Sequence, residues 1–258
     1  MRLTKQLKSA IHAHAKSVYP NECCGLIVNA TYYPCDNIAA NPADSFEIAP
    51  ADFVNLSELG EVQAIVHSHP NGNAEPSEID RVQMGLHGVD WVICGFGIHA
   101  DGEEYCDIKR HKPAAYTAPL IGREYHHGTQ DCYSLVRDYY QRELGIGLND
   151  YPRADAWWED KDSDSLYLSN FKKEGFVPVP MDKLQKHDVL ICRVGRTHHP
   201  NHALIYMADG RLQSEPNTDV VGSPLILHHP YGELSRQELF GDSWQRRVVL
   251  VLRHQSLG

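Results

Sequence analysis

The sequence predicts an α+β protein built as two successive domains, on three observations. Apolar runs of strand length alternate with amphipathic helical stretches along the chain. A segment with two prolines and no periodicity interrupts this pattern near the middle, after which the pattern restarts. The length of 258 residues, with 42% hydrophobic and 22% charged residues, suits one or two globular domains and argues against a disordered chain.

The elements follow in order. Thr4 is placed to cap a first helix in which Leu7, Ile11, His14 and Val18 recur at helical spacing, and Pro20 stops it. Residues 25–28 read as a buried strand, followed by a loop rich in Asn, Pro and Asp over 36–45. Residues 62–66 and 91–96 are two further apolar strands. Between them Pro76 and Ser77 open a short helix that runs to about Leu86, with Ser77 at its cap. The proline-containing segment 112–119 reads as a linker, which divides the chain into a domain over 1–112, a linker over 113–120 and a domain over 121–258. Beyond it, Cys132, Leu135, Val136, Tyr139 and Tyr140 mark a helix beginning near Asp131, and 189–194, 203–207, 225–227 and 248–252 are strands. The turn over 208–224 is long and carries Glu215-Pro216-Asn217.

The charge balance restricts function. With 24 Lys and Arg against 34 Asp and Glu, the net charge of −10 argues against nucleic-acid binding and against anchoring on an anionic membrane. No stretch approaches the roughly 20 apolar residues of a membrane span, and residues 1–18 are polar, without the apolar core of a signal peptide. None of the seven cysteines forms a C-x-x-C pair, which excludes a zinc ribbon and reads as free thiols in a reducing cytosol.

Two constellations carry chemistry. The first reads His67-Ser68-His69-Pro70, then six residues, Ser77, two residues and Asp80. Two histidines one residue apart on extended chain point to the same side, and the following turn can return Asp80 to the same point. Two imidazoles and one carboxylate leave a tetrahedral position open for water, the arrangement of a catalytic zinc. Glu22, just ahead of the strand at 25–28, is the candidate general base and acid, and Ser77 can donate to a developing oxyanion. A chain with 16 His contains about one H-x-H pair by chance. The second such pair, His12-Ala13-His14, lies on a helix, where its members do not face each other, and is incidental.

The second constellation is a thiol with imidazoles. Cys132 follows Asp131 at a helix N-terminus, where the positive end of the helix dipole favours a thiolate. A thiolate nucleophile needs an imidazole and a group that orients it. His202 begins one apolar strand, and His228 and His229 close the next, so a Cys-His-His site can form. The pairs His126-His127 and His198-His199 read as surface or cleft-rim residues, and Cys23 and Cys24 as packing. Trp157-Trp158 reads as partly buried, a sugar or protein contact being the alternative, and the acidic run 159–164 as a solvated face.

Glu22, His67-x-His69-Pro70, Ser77 and Asp80 match, without a departure in spacing, the motif of the JAMM or MPN+ metal-dependent proteases. Tyr19-Pro20-x-Glu22-x-Cys24-Gly25 is similar to the bacterial and phage branch of that family. The resemblance covers 1–112. It implies a JAMM-like mixed sheet with flanking helices, zinc (Zn2+) held by His67, His69 and Asp80, a water held by Glu22, and cleavage of amide or isopeptide bonds, often beside ubiquitin-like folds. Gly122-Arg123-Glu124-Tyr125-x-x-Gly128, Asp131-Cys132-Tyr133-Ser134-Leu135-Val136 and His202-Ala203-Leu204-Ile205-Tyr206-x-x-Asp209-Gly210 resemble the NlpC/P60 cysteine peptidases over about 120–254. That resemblance implies a papain-like α+β domain with Cys132 as nucleophile, His202 as base and a histidine of the next strand as orienter. His228 fits best because it closes the apolar run, with His229 as the alternative. Tyr125 would shape the cleft, and the substrates would be D-glutamyl bonds of peptidoglycan peptides. The sequence departs from the bacterial wall enzymes in the short stretch between Tyr125 and Cys132 and in the long turn over 208–224.

The two domains in this order, with Glu233-Leu234-Ser235-Arg236-Gln237-Glu238 and Trp244-Gln245-Arg246-Arg247 near the C-terminus, are similar to the tail-tip assembly proteins of lambda-like siphophages. This implies a role in tail assembly in the host cytoplasm, with the virion tail tip as a second location. It implies as partners the phage tail-tip proteins, a ubiquitin-like one and the central host-recognition protein. Two alternatives remain: an assembly factor that retains both sites without catalysis, and a cellular cell-wall endopeptidase, which the lack of a signal core disfavours.

Overall fold

The computed structural model describes residues 1–216 and 222–258; Asn217, of the run Glu215-Pro216-Asn217, lies outside the described residues. The chain divides into two compact units, Met1–Thr117 and Ala118–Gly258, each with helices and its own sheet.

In the first unit the Thr4 hydroxyl oxygen accepts from the Leu7 amide (3.2 Å) and starts helix α1, Lys5–Val18. Its buried stripe is Leu7, Ile11 and Ala15, spaced four apart, while His14 turns partly outward and meets the Tyr32 hydroxyl at 2.7 Å. The sheet contains β1 (Cys24–Val28), β2 (Thr31–Cys35), β3 (Val62–Pro70), β4 (Asp90–Ile98) and β5 (Glu104–His111), in the order β2-β1-β3-β4-β5. Strands β3 and β4 are parallel and the other neighbours antiparallel, so the sheet is mixed. Helix α1 packs with Ile27, Ala64, Val66, Val92, Cys94 and Phe96 on one face. Leu26, Val28, Ile65, Met84 and Trp91 are buried together on the other, with residues of α2 (Pro50–Ser57) and α3 (Glu78–His87).

The sequence reading lacks β2, α2 and β5. Both strands are sheet edges, and neither shows the apolar alternation of a half-buried strand: β2 contains Pro34, and β5 reads Glu-Tyr-Cys-Asp-Ile-Lys-Arg-His. Strand β3 runs past Val66 to Pro70 because its parallel ladder with β4 continues, pairing His67 with Ile93 and His69 with Gly95.

The second unit opens on a buried knot. Leu120 is fully buried, the Arg123 guanidinium donates to the carbonyls of Pro119 (2.8 Å) and Ala118 (3.1 Å), and Arg142 donates to Ala118 as well (3.0 Å). Helix α4, Cys132–Tyr139, continues as a π-helical turn over Tyr140–Leu144 and ends at Gly145 in the left-handed conformation. Two short helices follow, α5 (Leu166–Asn170) and α6 (Asp242–Gln245). The sheet holds β6 (Phe176–Pro178), β7 (Val189–Cys192), β8 (His202–Ala208), β9 (Leu225–His228), β10 (Arg236–Leu239) and β11 (Val248–His254). Their order is β10-β9-β8-β7-β11-β6, with every neighbour antiparallel. Tyr133, Val136 and Tyr139 of α4 pack on Val189, Ile191, Ile205 and Leu227, while Leu190, Leu204, Ile226, Phe240 and Val251 form a second cluster. The strands legible in the sequence are the four inner ones; β6 and β10, of three and four residues, are edges. Strand β7 stops at Cys192 because the Val194 amide turns to the Asn201 side-chain oxygen (2.8 Å).

Among the described residues no helix is long and apolar enough to cross a membrane. Ile11 is fully buried between α1 and the sheet. Ile11→Ala is expected to lower stability by roughly 2–4 kcal/mol, measured as a lower urea midpoint with unchanged circular dichroism before unfolding.

Candidate functional site

The first site grows from the alternation of β3. Ile65 faces the α3 side of the sheet, so His67 and His69, two and four residues on, face that side too. The turn that follows passes directly over β4: a Cβ at Gly95 would lie 2.6 Å from the backbone of Asn73, so glycine is required there. The turn delivers Ser77, the N-cap of α3. The Ser77 oxygen accepts from the Asp80 amide (3.2 Å) and an Asp80 carboxylate oxygen accepts from the Ser77 amide (2.8 Å), a reciprocal capping box that fixes Asp80. Ser77 retains its hydroxyl proton as a donor.

These elements bring His67, His69 and Asp80 together. The two Nε2 atoms are 2.9 Å apart, His67 Nε2 lies 3.4 Å from Asp80 Oδ1, and His69 Nε2 lies 3.2 Å from Asp80 Oδ2. Phe46 stacks on the His67 ring (centroids 4.6 Å apart, 18°) and Trp91 meets it edge-on (5.3 Å, 79°), which holds the ring in place. His69 Nδ1 faces the Asn73 carbonyl at 2.9 Å and donates to it, so Nε2 presents a lone pair in the neutral ring and donates to Asp80 when the ring is protonated. A lone pair turned toward a second imidazole nitrogen and a carboxylate calls for a shared proton or cation. Ligand atoms on a tetrahedron 2.0–2.1 Å from zinc lie about 3.3–3.4 Å apart; here each imidazole nitrogen lies 2.9–3.4 Å from the other and from its nearer Asp80 oxygen, and one donor atom from each residue lies within 4.8 Å of the others. The donor set fits zinc.

Glu22 sits just before β1, its amide bonded to the Pro42 carbonyl (2.7 Å) and its own carbonyl to the Asn37 side chain (3.0 Å). Burial pushes its carboxyl up to about 8, a shift that His69 opposes and that Asp80 and Asp44 reinforce. Such a group can both take and give a proton near neutrality. Burial also opposes ionisation of Asp80, but the hydrogen bonds from His67 and His69 outweigh it and hold that carboxyl far below the usual range. Cys23 and Cys24 are buried beside Glu22 as packing residues.

The second site begins at the cap of α4. One Asp131 carboxylate oxygen accepts from the amides of Tyr133 (3.1 Å) and Ser134 (3.0 Å). Arg153 grips the carboxylate from the other side, Nε to Oδ2 at 2.6 Å and Nη2 to Oδ1 at 2.9 Å, and the Gly128 amide adds a bond of 2.9 Å. Cys132 follows, half-buried, with its sulfur 3.1 Å from the Tyr167 hydroxyl. The helix start does not favour a thiolate here. Burial pushes the Cys132 thiol up to about 11 and the Asp131 carboxylate adds to the shift, while the Tyr167 hydroxyl and the Ala203 amide only partly oppose it. The dipole end is already occupied, because Asp131 takes the amides of the first turn.

His202 opens β8, and its Nε2 lies 3.0 Å from Nδ1 of His228 at the end of β9. Burial keeps both rings neutral: His202 is held well below the usual imidazole range, with the neighbouring rings contributing, and His228 is lowered to about 3, with Arg236 contributing. Trp244 covers the pair, tilted over His202 (5.7 Å) and edge-on to His228 (4.9 Å). Cys132, His202 and His229 line one open cavity of about 170 Å³ together with Tyr125, Arg153, Trp158, Tyr231 and Trp244. That volume exceeds several-fold the roughly 10–15 Å³ that one water needs on the same measure. His228 stands behind His202, while the His229 ring packs edge-on against Tyr125 (5.1 Å).

Partly buried Trp157 and Trp158 both line this cavity, as does His127. His199 stacks on Trp157 (6.2 Å, 20°), and most of 159–164 is exposed. In the long turn, Glu215 folds back to accept from the Leu120 amide and from Arg142, both at 2.6 Å. Sequence reasoning did not find Phe46, Arg153, Tyr167 or Trp244 as parts of a site. Arg153 and Tyr167 reach Asp131 and Cys132 across 22 and 35 residues, from segments without periodic pattern.

Two family models match the chain: prokaryotic homologs of the JAB domain over residues 4–105, and the NlpC/P60 family over residues 122–253. The molecule is thus of the class that joins a JAB-like domain to an NlpC/P60 domain. The tail tip assembly protein K of Escherichia phage N15 is 32% identical over 96% of this chain and 94% of its own length. That of Escherichia phage lambda is 36% identical over 81% of this chain and 90% of its own. The chain belongs to the tail tip assembly protein K family. A desampylase of Haloferax volcanii is 26% identical over 36% of this chain and 79% of its own length.

Two outcomes follow from the geometry. The protein is expected to retain a single zinc ion per chain after dialysis, measured by plasma emission spectrometry, and the double variant His67→Ala/His69→Ala to retain none. Iodoacetamide labelling of Cys132, followed by peptide mass spectrometry, is expected to rise with pH through the range near 11. Tyr167→Phe removes a hydroxyl that stabilises the thiolate, so it raises the thiol pKa further and slows labelling about five-fold below that range, the worth of one hydrogen bond of about 1 kcal/mol.

Proposed function

We propose that this member of the tail tip assembly family carries two peptidase centres. The first is a zinc-dependent site acting on an amide or isopeptide bond of a tail protein. The second is a cysteine site hydrolysing peptidoglycan peptides at D-glutamyl bonds. The observation that supports this reading is that each unit gathers a complete reactive set: His67, His69 and Asp80 within 3.4 Å of one another beside Glu22, and Cys132 in one cavity with His202, itself backed by His228.

In the first centre His67, His69 and Asp80 would hold zinc, which supplies Lewis-acid polarisation to carbonyl and water. Glu22 takes a proton from the attacking water and returns it to the leaving amine, and Ser77 donates to the oxyanion. In the second, Cys132 gives its proton to His202 as the sulfur adds to the carbonyl carbon. The amine leaves with that proton, and water then hydrolyses the thioester. The proposed partners are a ubiquitin-like tail-tip protein, a host-recognition protein and peptidoglycan peptide, met during assembly in the host cytoplasm or at the virion tail tip.

A second reading, an assembly factor that retains both sites without turnover, has one observation in its favour: the Cys132 sulfur lies 3.1 Å from the Tyr167 hydroxyl, and burial pushes its thiol up to about 11. The two readings separate by experiment. Mass spectrometry of muropeptides incubated with the protein is expected to show fragments cut after D-glutamate. Cys132→Ala should slow their appearance by about three orders of magnitude or more, and His67→Ala should leave it unchanged. Absence of fragments from folded, reduced wild-type protein, with tail assembly restored by Cys132→Ala and by His67→Ala/His69→Ala, establishes the assembly factor instead.

A further inference from the structure

The pair His202–His228 does not end at His228. Its Nδ1 faces His202 Nε2 at 3.0 Å, and its Nε2 is fully buried, has no hydrogen-bond partner among the described residues and lies 3.5 Å from the Glu238 carboxylate. Antiparallel register explains the approach. His228 of β9 is paired with Arg236 of β10, and Glu238, two residues on, projects from the same face of the strand. The carboxylate is itself anchored: Trp244 donates its indole N–H to Glu238 Oε1, and Arg236 Nε donates to Oε2 at 3.2 Å. The indole of Trp244 also covers both imidazoles.

We infer that Glu238 is a positioning residue that extends the cysteine centre to a four-member chain, Cys132, His202, His228 and Glu238, by fixing the tautomers of both histidines. This rests on the reading of Cys132 and His202 as nucleophile and base. An imidazole with one proton places it where an acceptor waits. The Glu238 carboxylate accepts only, so the His228 proton belongs on Nε2 and Nδ1 becomes an acceptor. His202 must then donate from Nε2, which leaves its Nδ1 free of a proton and able to accept one, in the cavity that His202 shares with Cys132. Without the carboxylate, His228 can hold its proton on Nδ1 and reverse the hydrogen bond, and His202 loses its proton-free Nδ1. The charged and titratable groups that face this chain are His229 beside His228, Arg236 beside Glu238, and Cys132 at the cavity. Arg236 also pairs with Glu233, so its charge is shared between two carboxylates.

The test uses the full-length protein labelled with 15N, without substrate, so it is independent of whether the peptidase reading holds. Long-range 1H–15N spectra of the imidazoles near pH 7.5 are expected to show His202 and His228 each as the Nε2–H tautomer. In Glu238→Leu, His228 is expected to become a mixture of tautomers. The rate of Cys132 alkylation, resolved by peptide mass spectrometry from that of exposed Cys106, should fall about tenfold, the equivalent of one pKa unit lost with the neighbouring carboxylate charge. Glu238→Gln keeps the shape and one acceptor oxygen. It is expected to retain the Nε2–H tautomer of His228 with a shifted resonance and to restore most of the alkylation rate, and it serves as the deciding variant if Glu238→Leu does not fold. Unchanged His228 tautomer and resonance in folded variants, with alkylation within twofold of wild type, overturns the inference. If muropeptides are not cut but these signatures appear, the peptidase reading fails while the positioning role stands.

Discussion

Side-chain capping of a helix start is the interaction on which both reactive centres depend. Asp80 and Asp131 each close the first turn of a helix, one in exchange with Ser77, the other under the grip of Arg153. In the first unit the capping carboxylate is itself part of the reactive set, so the hydrogen bonds that begin α3 also aim Asp80 at the two histidines. In the second unit the cap lies one residue ahead of the reactive sulfur, so the bonds that begin α4 set where Cys132 stands. A cap of this kind contributes only about 1 kcal/mol to stability. Its larger effect is geometric, because a frayed first turn would move the reactive atom by ångströms.

Burial then sets the charge state. Glu22 and Cys132 are pushed up and His202 and His228 down, each toward its neutral form, with burial as the leading cause. Asp80, His69 and Asp131 go the other way for a local reason: in each, burial is outweighed by a partner, the imidazoles for Asp80, Asp80 for His69 and Arg153 for Asp131. The first centre therefore rests with one negative ligand beside two imidazoles, a set suited to a divalent cation. In the second, the thiol and the two imidazoles rest neutral, and they acquire charge only when a proton moves from sulfur to nitrogen.

What the sequence revealed followed the range of the interaction. His67, His69, Ser77 and Asp80 lie within 14 residues of one another, and strand alternation with a capped helix start is enough to bring them together. The inner strands of both sheets were legible because burial on two faces leaves continuous apolar runs, whereas edge strands such as β5 and β10 carry charges that hide them. Phe46, Arg153 and Tyr167 gave no signal, since their roles arise from contacts between segments far apart in the chain. The helix position of Cys132 was legible, but not the groups that act against the helix dipole: burial and the Asp131 carboxylate push the thiol up, and Arg153, which pairs with Asp131, only partly opposes them.

The knot at the start of the second unit bears on how such a chain can be taken apart. Arg123 and Arg142 depend on the carbonyls of Ala118 and Pro119, and Leu120 fills the core beside them. A proteolytic nick or a recombination joint placed after Pro119 would leave the buried guanidinium of Arg123 without two of its acceptors and remove part of the packing. A joint placed before Ala118 leaves the knot whole. The second unit thus carries its own latch in its opening residues, and the peptide just ahead of them is the seam along which the chain can be exchanged module by module.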